Sequence, residues 1–338
     1  MHAHSSYVQK SSAATFFVVC YDIIKSENPR KKTSKMFLLK IKKPLLRYMK
    51  TSALVVIAGL IYSLGGVIRL DIEATQNIQH FISRAEEVPS HTQNINGYTF
   101  EYHTVSRETF ELEDERDVFY DNEKTKLGQT GDIIITQQSP FPNVPIIHQW
   151  ITFYFGGHAS LVNEDNKLYE ATGIGSSNIF EVMLFPGNKT HDFDISLTES
   201  NNYWLNTNRR SESNPAYPYY GSFNRNEFLV LRVKGVTEAQ RLDAVRYAKN
   251  LYEKEALYNY TFFLDVQYKY YCTDMISRAY QDVMVPTQRQ RGYAQALNDR
   301  FITSVNDLIN SEDTYITSYI SIKDKTVSIY YLEDIEEV

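Results

Sequence analysis

The sequence predicts an α+β fold preceded by a single membrane-spanning helix. An uncharged apolar run lies near the N-terminus, and several short apolar runs with strand composition follow beyond residue 130. Two segments among them have helical periodicity, and they do not alternate regularly with the strands, which favours α+β over parallel α/β. Aromatic residues are frequent, with 26 Tyr and 18 Phe. Such side chains pack well on pleated sheets, so their number agrees with this fold class.

The apolar run, residues 51–68, contains 18 residues without a charge. A helix of ~17–25 residues is needed to cross a bilayer. Residues 30–50 hold nine Lys and Arg and no acid, so the positive-inside rule places the N-terminus in the cytoplasm. We therefore expect residues 1–50 to form a basic cytoplasmic segment and residues 51–70 a membrane anchor. The rest of the chain would be extracytoplasmic.

A cleaved signal peptide is the competing interpretation of this run. Cleavage sites have small residues in an A-x-A-like pattern, and Ser63-Leu64-Gly65 is a weak substitute for one. Met36 begins a segment that is typical of the start of a membrane anchor. The residues before it would then be an upstream extension, and the sequence does not define their role. We favour an uncleaved anchor.

The chain beyond the anchor divides into three expected regions. Residues 71–125 are polar and acidic in patches, and we expect a stalk or packing extension there, with a helix around 72–85. Turn residues then lead into an apolar run at 133–135, which favours a domain boundary near residue 126. The domain, residues 126–285, should have an antiparallel sheet with packed helices. Residues 286–338 would be a C-terminal extension packed on it.

Composition and periodicity predict the elements of this domain. Thr237 and Gln240 have the spacing of a capping box and precede an apolar stripe, which indicates a helix. A second helix is predicted over 272–282 because apolar residues recur there at helical spacing. Further strands are predicted at residues 150–155, 158–162, 167–171 and 228–233.

Net charge and cysteine content narrow the classes of function that the chain can have. The formal net charge of −6 gives no overall electrostatic reason to bind nucleic acid. The two cysteines, Cys20 and Cys272, lie on opposite sides of the anchor, which excludes a disulfide framework. No cofactor is expected, and loose ligand spacing disfavours a metal at His148 with His191–Asp194. The outer thiol is either a buried core residue or a reactive group.

A reactive thiol needs a base and a group that orients the base. His158 begins a predicted strand after two glycines, and the turn at 163–166 returns the chain towards Glu170. An odd-length loop centred on residue 164 would place His158 opposite Glu170 on one face of the hairpin. A two-residue loop would instead pair residue 158 with 171 and put Glu170 on the other face.

Four short motifs occur in a fixed order along residues 126–285: Gly131-Asp132-Ile133-Ile134, Gly157-His158-Ala159, Leu168-Tyr169-Glu170-Ala171 and Tyr271-Cys272-Thr273-Asp274. Together they resemble the permuted papain-like group of NlpC type, the YiiX-like and YebB-like proteins. In that group the histidine strand comes first and the cysteine helix last, as here. Its usual Tyr-Cys-Ser-Glu-Leu-Val helix start is similar to Tyr-Cys-Thr-Asp-Met-Ile in this chain.

The resemblance implies a thiol hydrolase of the peptidase or amidase kind. Cys272 would be the nucleophile, His158 the general base and Glu170 the residue that orients it. The substrate would be a peptide or a lipid-linked acyl group, with cell-wall peptides among those permitted. Two alternatives stay open: a lipid acyltransferase or thioesterase with the same triad, and a non-catalytic module that binds a peptide or lipid. The stretch 181–228, with Trp204, would either shape the substrate groove or form a surface loop.

Overall fold

A computed structural model describes residues 32–138, 157–172, 196–210, 225–259, 268–283 and 303–335. The side chains of 32–46, 87–91, 209, 282 and 283 are outside this description. The strand expected at 150–155 and the residues considered for a metal, His148 and His191–Asp194, also lie outside it. The chain forms two compact units, Met1–Ser63 and Leu64–Val338.

The apolar run belongs to a long helix, α1 (Lys32–Ser83). Its portion Arg47–Ser83 is long and apolar enough to cross a membrane, the single such helix within the described residues. Large apolar side chains of the run are open to the surroundings, as expected for a surface that meets lipid rather than protein.

The C-terminal part of α1 has a different character. Ala74, Ile78 and Phe81, at helical spacing, are buried in the second unit. The helix expected around residues 72–85 is therefore present as the end of α1.

The second unit contains a nine-stranded sheet. Its strands are β1 (Ala85–Ile95), β2 (Tyr98–Val105), β3 (Ile133–Thr136), β4 (His158–Val162), β5 (Lys167–Glu170), β6 (Thr198–Asn201), β7 (Glu227–Val233), β10 (Thr314–Lys323) and β11 (Thr326–Leu332). Their order is β1-β2-β11-β10-β7-β3-β4-β5-β6. A separate parallel pair joins β8 (Leu257–Tyr258) and β9 (Lys269–Tyr270).

The sheet is mixed rather than antiparallel throughout. β2 and β11 run parallel, while the other neighbouring strands are antiparallel. The expectation of an antiparallel sheet is wrong at this pair, because β2 and the last strand of the sequence lie side by side in the same direction. The α+β class itself is confirmed.

The sheet extends across both domain boundaries expected from the sequence. Phe100, Tyr102 and Val105 of β2 point into the core and are at most 2 % exposed. Residues 85–105 are therefore part of the sheet rather than a stalk. Their composition is polar overall, yet the alternation of Phe100 and Tyr102 with half-buried neighbours buries one face of β2 there.

The C-terminal residues are likewise integral to the sheet. β10 and β11 occupy its middle, between β2 and β7. Asp324 and Lys325 join them in a two-residue turn with φ of 49° and 66°, as hairpin turns with two left-handed residues require. The expectation of a separate extension packed on the domain is wrong for these residues.

Three shorter helices accompany the sheet within the part of the chain that the structure describes. α2 (Glu238–Glu253) begins at Thr237, where the predicted capping box with Gln240 is present. α3 (Cys272–Val283) packs against α2 and β4, and α4 (Val305–Ile309) packs against β10. The two helices predicted from sequence in this region are thus confirmed.

A buried ionic cluster holds the start of β3. Arg232 of β7 is fully buried and donates to Asp132 at 2.9 Å, and it also binds the carbonyl oxygen of Arg116 at 2.8 Å. Asp132 also accepts from Arg116 at 3.3 Å. The Tyr280 hydroxyl of α3 donates to the Gly131 carbonyl. The Gly131-Asp132 motif therefore fixes α3 and β7 to the turn before β3.

Candidate functional site

The hairpin of β4 and β5 has a register that differs from both sequence expectations. Ser160 is paired with Glu170, so the hairpin is centred on residue 165 rather than 164. Asn163 causes the shift: its side chain accepts from the N–H groups of Asp165 and Lys167. Asn166 closes the three-residue loop in the left-handed conformation, with φ of 55°.

His158 and Glu170 nevertheless share one face of the sheet. His158 lies two residues before Ser160 on β4, so its side chain is diagonal to that of Glu170. Long side chains can span the distance between diagonal positions. His158 Nε2 is 2.9 Å from Glu170 Oε1, and the residues are 5 % and 2 % exposed. A loop of odd length was sufficient for this contact, although its centre is displaced by one residue.

Two hydroxyl groups hold the Glu170 carboxylate from the other side. Ser200 Oγ donates to Oε2 at 2.6 Å, and Tyr203 Oη donates to Oε1 at 2.7 Å. Ser200 is on β6, next to β5, on the same face of the sheet. The carboxylate is thus fixed by three side chains, which orients the imidazole bound to it.

Cys272 is the first residue of α3, since the N–H of Met275 bonds to the carbonyl of Tyr271. Its thiol is buried, and it interacts with His158 and with the backbone N–H groups of Ala159 and Thr273. Because Glu170 occupies Nε2 of His158, Nδ1 is the nitrogen left for the thiol. The structure therefore brings together all three residues singled out from the sequence.

Electrostatics favour a charged thiol and imidazole. Burial by itself would raise the pKa of Cys272, but the hydrogen bond and charge of His158, with the two backbone N–H groups, lower this pKa below its ordinary value. Burial would likewise lower the pKa of His158, but its bonds to Cys272 and Glu170 raise it. The arrangement favours a thiolate paired with an imidazolium.

Glu170 remains ionised in spite of its burial. Loss of hydration would raise its pKa, but the hydrogen bond and charge of His158, with the bonds from Ser200 and Tyr203, lower it. A buried carboxylate is tolerated when it is paired and fully hydrogen-bonded.

Trp204 covers the imidazole. The rings of Trp204 and His158 are stacked, with centroids 6.2 Å apart and an interplanar angle of 20°. The indole N–H donates to Ser160 Oγ at 3.0 Å, and Trp204 is 3 % exposed. This residue of the irregular stretch is therefore part of the site and not of a surface loop.

Gly157 allows the chain to turn into β4 beside another strand end. A Cβ added there would lie 2.0 Å from the backbone carbonyl oxygen of Gln138. Glycine at this position therefore permits the close approach of the Gln138 backbone. Any side chain would displace the backbone immediately before His158.

Sequence reasoning missed Ser200 and Tyr203. β6 has the polar composition Thr-Glu-Ser-Asn and lacks the usual strand signal, so only its pairing with β5 identifies Ser200. Tyr271, next to the cysteine, is buried, and its hydroxyl accepts from the Thr303 N–H at 2.9 Å.

The fold and the site define an α+β protein with an apolar N-terminal helix and a buried Cys-His-Glu cluster. The chain matches no protein-family model, and comparisons with curated proteins and with solved structures find no match.

Proposed function

We propose that this chain is a membrane-anchored thiol hydrolase with a permuted papain-like catalytic domain. One observation carries the proposal: buried Cys272 interacts with His158, whose Nε2 lies 2.9 Å from Oε1 of buried Glu170. Nucleophile, base and orienting group in contact are the arrangement that thiol acyl chemistry requires. The order of these residues along the chain agrees with the permuted group.

In the proposed reaction the Cys272 thiolate attacks the carbonyl carbon of an amide or ester. A sulfur–carbon bond forms, and the carbonyl electron pair moves to oxygen. The N–H of Thr273, at the start of α3, and the N–H of Ala159 are backbone donors beside the thiol that can stabilise that developing charge. As the intermediate collapses, the bond to the leaving group breaks and the leaving group takes the proton of the His158 imidazolium.

The acyl-enzyme is then released by water. His158 Nδ1 removes a proton from the water, the oxygen attacks the thioester carbon, and Cys272 leaves as the thiolate. Glu170 stays ionised and stabilises the imidazolium at each stage. If an alcohol or amine replaces water, the same cycle is an acyl transfer.

The location of the site follows from the anchor in this proposal. The basic residues before the apolar run favour a cytoplasmic N-terminus, so the catalytic unit would be extracytoplasmic. Cell-wall peptides and lipid-linked acyl groups are then the accessible substrates.

Iodoacetamide labelling of the full chain in detergent tests the proposal. At about pH 6.5 the intact chain should be alkylated at Cys272, and His158→Ala should slow this by about tenfold or more. Incubation with cell-wall peptides or acylated lipids, followed by mass spectrometry, should then detect an acyl adduct on Cys272. A thiol that reacts equally in both chains, with no adduct, would instead indicate a binding module.

A further inference from the structure

Arg225 is a cation close to the proposed catalytic residues. It precedes β7 by two residues, and its guanidinium carbon lies 5.8 Å from the centroid of the Trp204 ring. Trp204 in turn stacks on His158. The charge of Arg225 is therefore one aromatic ring away from the imidazole.

This guanidinium has no acidic partner among the residues that the structure describes. Its Nε is buried and has no hydrogen-bond acceptor among these described residues. Arg232 differs sharply, since it binds Asp132 and two backbone carbonyls. A buried donor without an acceptor is costly and rare in folded proteins, which points to an acceptor that arrives with a ligand.

The backbone at Arg225 is held in place by its neighbours. Arg210 donates to the carbonyl oxygen of Arg225 at 2.5 Å and to the Asn226 side chain at 2.9 Å. The N–H of Asn226 donates to Gln138 Oε1 at 2.6 Å. Hydrogen bonds to its own carbonyl and to the next residue therefore fix the backbone from which the Arg225 side chain projects.

We propose that Arg225 binds an anionic group of the substrate, a carboxylate or a phosphate, beside the carbonyl that Cys272 attacks. This inference rests on the proposed function and specifies its substrate class. The planar guanidinium donates two parallel hydrogen bonds to either group, and an aromatic face beside it leaves this fork available.

Anion binding at Arg225 would also act on His158. Burial lowers the pKa of His158, and the positive charge of Arg225 also lowers it. A bound anion neutralises that charge and so favours the imidazolium that accompanies the thiolate. Substrate binding and activation of the nucleophile are coupled in this way.

Alkylation with a matched pair of reagents tests the anion site. Iodoacetate and iodoacetamide differ by a carboxylate in place of an amide, and both react with Cys272. In the full chain in detergent, Arg225→Gln should lower the rate ratio of iodoacetate to iodoacetamide by about tenfold. Arg225→Lys should give an intermediate ratio, and Arg246→Gln, an exposed arginine of α2, should leave it unchanged. An unchanged ratio in Arg225→Gln, or an equal loss with both reagents, would overturn the proposal.

A binding measurement separates this inference from catalysis. The chain has two Trp, so Trp150→Phe leaves Trp204 as the fluorescent reporter, and Cys272→Ala removes the nucleophile. Titration with N-acetylglycine and with inorganic phosphate should give a saturable signal with at least one of them. Arg225→Gln should weaken that binding by about tenfold. The responding anion identifies a carboxylate or a phosphate substrate.

The outcomes are distinct. Absence of a response to both anions, or an equal response in Arg225→Gln, refutes the anion site even if Cys272 is reactive. Arg225-dependent binding in a chain whose Cys272 is inert supports the anion site and contradicts the proposed hydrolase.

Discussion

Glu170 contacts His158 diagonally across the β4–β5 hairpin, with Oε1 2.9 Å from Nε2, while Ser160 is the residue paired directly with Glu170. The remaining oxygen accepts from Ser200, so both oxygens of the carboxylate are occupied. This geometry leaves Nδ1 of the imidazole for Cys272 and gives the Glu170 charge a defined role. The carboxylate raises the proton affinity of His158 and thereby stabilises the ion pair with the thiolate.

Replacement of Glu170 by Gln tests that role through pH dependence. The pKa of His158 is raised in the intact chain, in part by Glu170, so loss of the charge lowers it. The alkaline limit of the thiolate–imidazolium state should therefore move to lower pH in Glu170→Gln. The measurement is the rate of Cys272 alkylation by iodoacetate, whose carboxylate the imidazolium attracts, or of turnover once a substrate is found, as a function of pH. Glu199→Gln is the control, because Glu199 binds Lys167 and Tyr169 instead; an alkaline limit that stays in place in Glu170→Gln contradicts the assignment.

Tyr203→Phe should affect stability in a pH-dependent manner. The pKa of Glu170 is lowered against the effect of burial, partly by the Tyr203 hydroxyl, so the carboxylate stabilises the fold above its ordinary pKa of about 4.3. Removing the hydroxyl should reduce the free energy of unfolding by about 1–3 kcal/mol near neutral pH. The difference from the intact chain should shrink as pH falls and Glu170 is protonated. Urea unfolding at several pH values checks this, with Tyr330→Phe on β11 as control, and a constant difference would argue against it.

Asp132→Asn should destabilise the fold without acting on the chemistry directly. It removes the closer anionic partner of the fully buried Arg232, at 2.9 Å against 3.7 Å for Asp114, and breaking a buried pair typically costs about 3–5 kcal/mol. Asp243→Asn removes an exposed pair with Arg246 and should change stability by less than about 1 kcal/mol. Unfolding curves of the two variants give the comparison. Equal stability of both would show that the buried cluster is not structural.

Gly157→Ala should displace the start of β4. The new Cβ would meet the Gln138 carbonyl oxygen at 2.0 Å, so the backbone before His158 must shift. We expect a loss of about 1–3 kcal/mol in stability together with slower alkylation of Cys272. Gly59→Ala, where no atom lies within 4 Å of the added Cβ, is the control for the substitution itself. Normal alkylation in Gly157→Ala would show that the position of His158 tolerates this shift.

The sequence predicts the local features of this fold well. The capping box of Thr237 and Gln240 and the helical spacing after Cys272 depend on residues a few positions apart, and both helices are present. The contact of His158 with Glu170 was also predictable, because a hairpin loop of odd length preserves the shared face. The displacement of the hairpin centre by one residue was not predictable, because it depends on hydrogen bonds of the Asn163 side chain within the turn.

Long-range pairing accounts for most of what the sequence did not predict. β2 and β11 are adjacent although more than two hundred residues separate them, and no local pattern records that contact. Ser200 joins the site only because the polar strand β6 pairs with β5. The β10–β11 hairpin is different: its alternating apolar residues around Asp324-Lys325 are a recognisable signal, and the expected domain boundary at residue 285 overlooked it.

The pKa of the Cys272 thiol is the quantity that tests the proposed hydrolase most directly. It can be measured from the ultraviolet absorbance of the thiolate as a function of pH, by difference against Cys272→Ala. In the intact chain the pKa of Cys272 should lie below the ordinary value of about 8.5. In His158→Ala it should rise above that value, because burial then acts without its partner. A Cys272 pKa at or above the ordinary value in the intact chain, unchanged by His158→Ala, would contradict the proposed nucleophile.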